Sequence, residues 1–263
     1  MAQNPLRDAL EKVEARTDQA DIQTPSHPYY LFTTPCAGAG WVATALRDGG
    51  FGFAGDWLNF ATRADLMEAY GHRELADYLK RAMANHAGPT GAAGVELPLL
   101  QVMYAFNIVN IFEVLGRQAT PIYVRRGNLM RQAIAFYIGR DSGVYADADR
   151  RHDYALDPAS LKYNAPAIKS CAEAIVRDEI MFESLLQRQG FKPLRLDYDA
   201  LGSEPAPLVA NVADWLGLEA SGQPEGDPLA RPVSHPEMEA WESKIRAEES
   251  TWLRQLEGQR PAL

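Results

Sequence analysis

Short continuous apolar runs along the chain predict the strands of a sheet. The run YYLFTT at 29–34 lies between two prolines and is typical of a strand buried on both faces of a parallel sheet. The segment GGFGFAGDW predicts a second short strand that ends near Asp56. Further strands are predicted at 120–125 and in FKPLRLDYDAL.

Between these runs, apolar residues recur with the period of amphipathic helices. Three apolar side chains fall on one face of a helix predicted over 5–17. The longest pattern begins at Asn164, which can cap a helix, tolerates Pro166 in its first turn and ends at Gly190. The remaining helices are predicted at 41–48, 63–85 and 236–257, and in NLMRQAIAFYIGR and PLVANVADWLGL.

The order of these elements predicts the fold class. Strands alternate with helices, which favours right-handed crossovers and an α/β fold with a mostly parallel sheet. We expect residues 28–263 to form a single α/β domain and residues 1–27 to form an N-terminal helical extension. The chain contains no internal repeat and no low-complexity tract.

Composition narrows the possible partners. The chain has 263 residues, a formal net charge of −9 and a pI of about 5.1. Nucleic acid and anionic membrane surfaces are therefore disfavoured as partners, because both are bound through clustered cations.

Cysteine usage and the N-terminus indicate a cytoplasmic protein. The two cysteines lie far apart, which disfavours a disulfide framework and a cysteine-based zinc site. The charged N-terminus has no apolar core and does not resemble a signal peptide. The most apolar stretch, LPLLQVMYAFNIVNIFEVLG, is interrupted by polar residues, so we expect no membrane span.

The segment TTPCAGAGWVATALRDGG at 33–50 places a glycine-rich turn between a strand and a helix. A Walker A loop is excluded, because neither lysine nor a hydroxyl residue follows Gly40. Gly38, Gly40 and Ala43 match the dinucleotide pattern G-x-G-x-x-A, and Asp56 follows where a ribose-binding acid belongs. An NAD(P)-type domain and a purely steric tight turn therefore both stay open.

Three segments together resemble the bacterial sulfotransferase family that includes trehalose and glycolipid sulfotransferases. They follow one another in the family's order, and the resemblance covers about 28–250. The segments are PIYVRRGNLMRQAIAFYIG, PLRLDYDALGSEPAPLVANVADWLGLE and PLARPVSHPEMEAWESKIRAE. The resemblance implies a three-layer α/β/α fold related to P-loop kinases, and a homodimer. It also implies sulfuryl transfer, without a metal, from 3′-phosphoadenosine 5′-phosphosulfate to a hydroxyl of a carbohydrate or other small molecule.

The resemblance also implies the residues that bind the donor. Main-chain N–H groups of the glycine turn, at the start of a helix, would hold the 5′-phosphosulfate, with Thr44 behind them. Arg126 would grip the 3′-phosphate, and Arg131 takes the place of a serine of the family. The turn consists of Cys36, Ala37, Gly38, Ala39, Gly40 and Trp41.

The chain departs from the family at the catalytic base. The glutamate that acts as base aligns with Asn59, which cannot accept a proton, and Asp56 is the nearest carboxylate. His235 and His152 lie in loops that border the site in the family, and either is a candidate replacement. The turn also lacks the family's basic residue and hydroxyl donors. A non-catalytic relative that acts as a binding or interaction module therefore stays open beside the enzyme.

Overall fold

The computed structural model describes residues 25–59, 63–71, 74–146, 156–202, 204–224 and 231–262. Four strands form one parallel sheet in the order β2–β1–β3–β4. They are β1 (His27–Thr33), β2 (Ala92–Pro98), β3 (Thr120–Arg125) and β4 (Leu194–Asp197). This sheet and its helices confirm the predicted α/β/α class. The predicted helix over 5–17 lies outside the described residues.

Eleven helices accompany the sheet in the described part of the chain. They are α1 (Ala39–Asp48), α2 (Arg63–Ala69), α3 (Leu75–Asn85), α4 (Leu99–Phe106), α5 (Ile111–Val114), α6 (Leu129–Ser142), α7 (Ala165–Gln189), α8 (Tyr198–Leu201), α9 (Ala206–Leu216), α10 (Met238–Glu248) and α11 (Ser250–Glu257). Among the described residues, none of these helices combines the length and the apolar character needed to cross a membrane.

Two elements show how closely local sequence dictates local structure. The apolar run of β1 is fully buried, as expected for a strand covered on both faces. Helix α7 begins where Asn164 accepts a hydrogen bond from the N–H of Ala167, and it ends at Gly190 in the left-handed conformation. Both predictions are confirmed.

Other predicted elements are wrong in part. Within the described residues, the segment GGFGFAGDW forms no strand of the sheet, and Gly55 makes a single parallel bridge, to Val95 of β2. Strand β2 itself was not predicted, because its sequence AAGVELP begins like a loop. A Cβ at Gly94 would overlap the ring of Tyr29. Close packing against β1 therefore requires a residue without a side chain in the middle of this strand.

Two predicted helices are each divided. The region 63–85 breaks between α2 and α3, where Gly71 has a positive φ of 69°. The region 236–257 breaks at Glu249, between α10 and α11. Periodicity alone does not detect such breaks, because the apolar face continues on both sides of them.

The chain divides into two compact units. The first unit comprises Met1–Phe32, Val42–Tyr123 and Glu204–Gly226. It contains an aromatic group in which Tyr30, Phe32 and Phe112 pack together, with ring centroids 5.3 to 6.2 Å apart.

The second unit comprises Thr33–Trp41, Val124–Ser203 and Asp227–Leu263. Its core lies among α6, α7, α10 and α11, with Ile134, Ile168 and Trp241 among the buried side chains. The single domain expected over 28–263 stays a prediction.

Candidate functional site

The glycine turn between β1 and α1 belongs to the second unit. Cys36 has a positive φ of 56°, and Gly38 has a φ of 91°. A Cβ at Gly38 would overlap the ring of Tyr198, so this position requires glycine both for its backbone angle and for space. The N–H of Ala37 donates to the carbonyl oxygen of Thr34 over 3.1 Å, which closes the turn. This particular N–H is therefore engaged within the protein, unlike the role predicted for it.

A buried glutamine clamps the start of the turn. The Nε2 atom of Gln132, on α6, donates to Oγ1 of Thr34 at 2.9 Å and to the carbonyl oxygen of Pro35 at 2.7 Å. The Gln132 side chain is fully buried. Sequence reasoning missed this residue, although a glutamine directly before the apolar run AIAFYI of α6 was a usable signal.

Cys36 is a thiol at neutral pH. Burial raises its pKa to about 12, and the nearby guanidinium of Arg126 only partly opposes this effect. The side chain therefore acts as a small packed group in the turn rather than as a nucleophile.

Arg126 follows β3 directly and is held in place by an acidic residue. Its Nε and Nη2 atoms donate to Oδ1 of Asp199 at 3.1 and 2.9 Å. The other oxygen of Asp199 accepts the N–H of Asn128 at 2.9 Å. The guanidinium carbon also lies 5.2 Å from the ring centroid of Tyr198. Arg126 is only 5% exposed, so its orientation is strongly constrained.

A buried ion-pair network supports the turn after β3 from behind. Glu179 is fully buried and binds Arg125 at 2.9 Å and Arg260 at 2.7 Å. Arg260 also donates to the carbonyl oxygens of Arg126 at 2.6 Å and Gly127 at 3.0 Å. The C-terminal segment thereby fixes the backbone that carries Arg126.

Arg131 lies in the first turn of α6, next to two glutamates of α10. Its Nη2 atom is 3.5 Å from Oε1 of Glu239, and its Nε atom is 3.4 Å from Oε2 of Glu242. These long, partly exposed ion pairs leave the guanidinium near the surface, where an anion can compete for it.

A cavity of about 360 Å³ brings these groups together within the second unit. Three arginines line it, and the guanidinium of Arg231 also lies 5.1 Å from the ring centroid of Trp41. Such a cluster of arginines suits a phosphate or sulfate group. The lining residues are Arg126, Arg131, Tyr198, Arg231, Pro232, Val233, Ser234, His235, Pro236, Met238 and Glu239.

The residues predicted for catalysis lie in the first unit. Nδ2 of Asn59 donates to Oδ2 of Asp56 over 2.7 Å, so the amide orients the carboxyl group. Burial raises the pKa of Asp56, while hydrogen bonds from Asn59 and Gln101 oppose the shift. Thr44 is buried in the same unit. His152 lies outside the described residues.

Glu96 is a second buried carboxyl group near Asp56. The bridge between Gly55 and Val95 places the next residue of each segment side by side, and the N–H of Glu96 donates to the carbonyl oxygen of Gly55 at 2.9 Å. Burial, together with the charge of Asp56, raises the pKa of Glu96 well above its ordinary value of 4.5. Sequence reasoning missed this pair, because β2 was not predicted.

Sequence reasoning also missed Tyr198, Asp199 and Arg231 as individual site residues. All three lie inside motifs that carried the family resemblance, LRLDYDAL and PLARPVSHPEM. The motifs therefore contained these residues, but their roles could not be assigned, because each role depends on contacts with residues distant in sequence.

Comparison with known proteins defines the class to which this arrangement belongs. A family model described as Stf0 sulphotransferase matches residues 99–248, more than half of the chain, and the chain belongs to this family. The matched region contains Arg126, Arg131 and the cavity-lining loop, whereas the glycine turn and Asp56 precede it.

The chain is also similar to the trehalose 2-sulfotransferase of Mycobacterium tuberculosis (strain ATCC 35801 / TMC 107 / Erdman). The two are 22% identical over 138 residues. The alignment covers 52% of this chain and 49% of the relative, so the chain spans about half the length of this curated relative. The sulfotransferase resemblance drawn from the motifs is thus confirmed.

Proposed function

We propose that the protein is a sulfotransferase that moves a sulfuryl group from 3′-phosphoadenosine 5′-phosphosulfate to a hydroxyl of a carbohydrate or other small molecule. The cavity lined by Arg126, Arg131 and Arg231 is the observation that carries this proposal. Family membership and the named relative support the same activity.

On the donor side, the residues of the second unit fit a doubly phosphorylated nucleotide. Arg126 supplies a tightly held guanidinium group for the 3′-phosphate, and Arg131 supplies a second one nearer the surface. Gly38 lies close against the ring of Tyr198, and the first turn of α1 follows it directly. This first turn presents backbone N–H groups for the 5′-phosphosulfate. The partial positive charge of these N–H groups stabilises the negative charge that develops on the 5′-phosphate as the bisphosphate leaves.

On the acceptor side, we assign proton removal to Asp56. In the transfer, the bond from sulfur to the donor phosphate oxygen breaks and a bond from sulfur to the acceptor oxygen forms. The hydroxyl proton must therefore go to a base. A carboxyl group whose pKa is raised is a better base near neutral pH than an ordinary one, and Asn59 orients it.

Calorimetric titration with adenosine 3′,5′-bisphosphate tests the donor site. The protein should bind this compound, and Arg126→Ala should weaken binding roughly 100-fold, because buried charge-assisted hydrogen bonds are lost. Arg117→Ala, which removes an exposed arginine of the first unit, is the matched control and should bind like the wild type. Heat with NAD(P) and none with the bisphosphate would instead support a dinucleotide-binding domain.

Turnover with labelled donor and a panel of sugars tests catalysis. Asp56→Asn should lower kcat by about 10²- to 10⁴-fold without changing bisphosphate affinity. Bisphosphate binding without turnover on any acceptor would instead support a non-catalytic relative. A homodimer and a cytoplasmic location stay predictions, and light scattering tests the first of them.

A further inference from the structure

We propose that His235 donates a hydrogen bond through Nε2–H to the 3′-phosphate monoester of a nucleotide in the arginine-lined cavity. This role rests on the proposed donor site and deepens it by adding a neutral donor to three guanidinium groups. It also differs from the general-base role that the sequence alone suggested for this histidine.

The hydrogen bond on one side of the ring determines the position of its proton. Nδ1 of His235 accepts the N–H of Glu237 at 3.0 Å, so Nδ1 must carry a lone pair. In the neutral imidazole the proton then lies on Nε2, which acts as a donor. A general base at Nε2 would need the opposite tautomer.

The ring is held rigidly in this orientation. It stacks on the indole of Trp241, with ring centroids 4.2 Å apart and planes inclined by 31°. The indole N–H in turn donates to Oε2 of Glu237 at 2.9 Å. Rotating the imidazole would break its contacts with both residues, so the donor is preorganised rather than adaptable.

The remaining ring nitrogen has no hydrogen-bond partner among the described residues. His235 is 8% exposed and lines the cavity, and its Nε2 atom has no hydrogen-bond partner within the described part of the chain. An unpaired buried donor is costly, and a ligand oxygen at this wall would satisfy it.

The charges around the cavity indicate which chemical group supplies the ligand oxygen that accepts from Nε2. The guanidinium groups of Arg126, Arg131 and Arg231 favour an anionic group over a neutral one. A phosphate monoester presents three terminal oxygens, which accept from arginines and from an imidazole N–H at the same time. The 3′-phosphate is the monoester of the proposed donor.

Two variants separate the hydrogen bond from the shape of the ring. His235→Phe keeps a ring on Trp241 and removes the donor, whereas His235→Gln restores a neutral N–H. His27→Phe, at an exposed position of β1, is the matched control. Each protein is titrated calorimetrically with adenosine 3′,5′-bisphosphate and with adenosine 5′-monophosphate, which lacks the 3′-phosphate.

His235→Phe should weaken bisphosphate binding about tenfold and leave monophosphate binding unchanged, because one hydrogen bond to a charged group is lost. His235→Gln should recover most of the affinity. Equal affinity of wild type and His235→Phe for the bisphosphate, or an equal loss for both nucleotides, would overturn this inference while leaving the donor site intact. Absence of bisphosphate binding by the wild type would overturn both proposals.

A spectroscopic measurement tests the tautomer without any ligand. The ¹⁵N-labelled free protein should show His235 protonated at Nε2 and not at Nδ1 in long-range proton–nitrogen correlation spectra at neutral pH. The reverse tautomer would refute the donor role whatever the binding data show.

Discussion

The ring of Tyr198 occupies the space that a Cβ at Gly38 would need. Glycine at position 38 is therefore required by a specific contact and not only by the tight turn between strand and helix. It brings main chain against an aromatic ring that also contacts Arg126, and so joins the two predicted anion-binding elements within one unit.

This relationship predicts the effect of Gly38→Ala. The substitution adds both backbone strain and overlap with Tyr198, and should lower the free energy of unfolding by about 2–4 kcal/mol. Gly190→Ala is the control, because Gly190 also has a positive φ but no atom of the described residues lies within 4 Å of the place of a Cβ. Gly190→Ala should lower the free energy of unfolding, measured by urea denaturation, by only about 1 kcal/mol. Similar losses for the two variants would contradict the proposed close contact.

The buried network around Glu179 predicts a large loss of stability. Glu179→Gln leaves Arg125 and Arg260 without their buried carboxylate and should lower the free energy of unfolding by about 3–5 kcal/mol. Glu183→Gln, on the same helix, removes a partly exposed ion pair with Arg195 and should cost about 1 kcal/mol or less. Chemical denaturation compares the two, and a Glu179→Gln variant as stable as Glu183→Gln would contradict the expectation.

Removing a competing carboxylate should improve ligand binding. Glu239 lies 3.5 Å from Arg131 and its side chain is 87% exposed, so it repels an anion that approaches the cavity. Glu239→Gln should strengthen bisphosphate binding roughly two- to fivefold at low salt, and the gain should shrink as salt is added. Glu248→Gln, on the same helix but outside the cavity lining, should show no gain. Weaker binding by Glu239→Gln would mean that the carboxylate helps the ligand.

The raised pKa of Glu96 predicts how stability varies with pH. The folded protein keeps a proton on this carboxyl at pH values where the unfolded chain has lost it. Because the folded state then binds more protons, the free energy of unfolding should fall as pH rises from about 4.5 through the raised pKa. Glu96→Gln should make this decline shallower.

Urea denaturation between about pH 4 and pH 8 measures this slope. Glu113→Gln alters an exposed carboxylate of the same unit and should keep the wild-type slope. If the Glu96→Gln variant also keeps that slope, another group is responsible for it.

Local pattern predicted the elements whose signals lie within a few residues. Strand β1 is a continuous apolar run, and α7 carries its own cap at Asn164 and its own terminator at Gly190. Family motifs pointed to Arg126 and Arg131, which both line the cavity, and their role in binding the donor stays a prediction. Strand β2 was missed, because the glycine at position 94 is required by the nearby ring of Tyr29, which is distant in sequence.

By itself, the sequence determined strand β1, helix α7, the glycine turn and the arginine that follows β3, since periodicity, capping and backbone freedom are local properties. Only the tertiary structure decided that Asp199 holds Arg126, which lies 73 residues away, and that Glu96 lies beside Asp56. It also decided that one nitrogen of His235 has no hydrogen-bond partner among the residues that the structure describes. Those relationships arise from strand register and helix packing, which bring distant side chains together and leave no periodic trace along the chain.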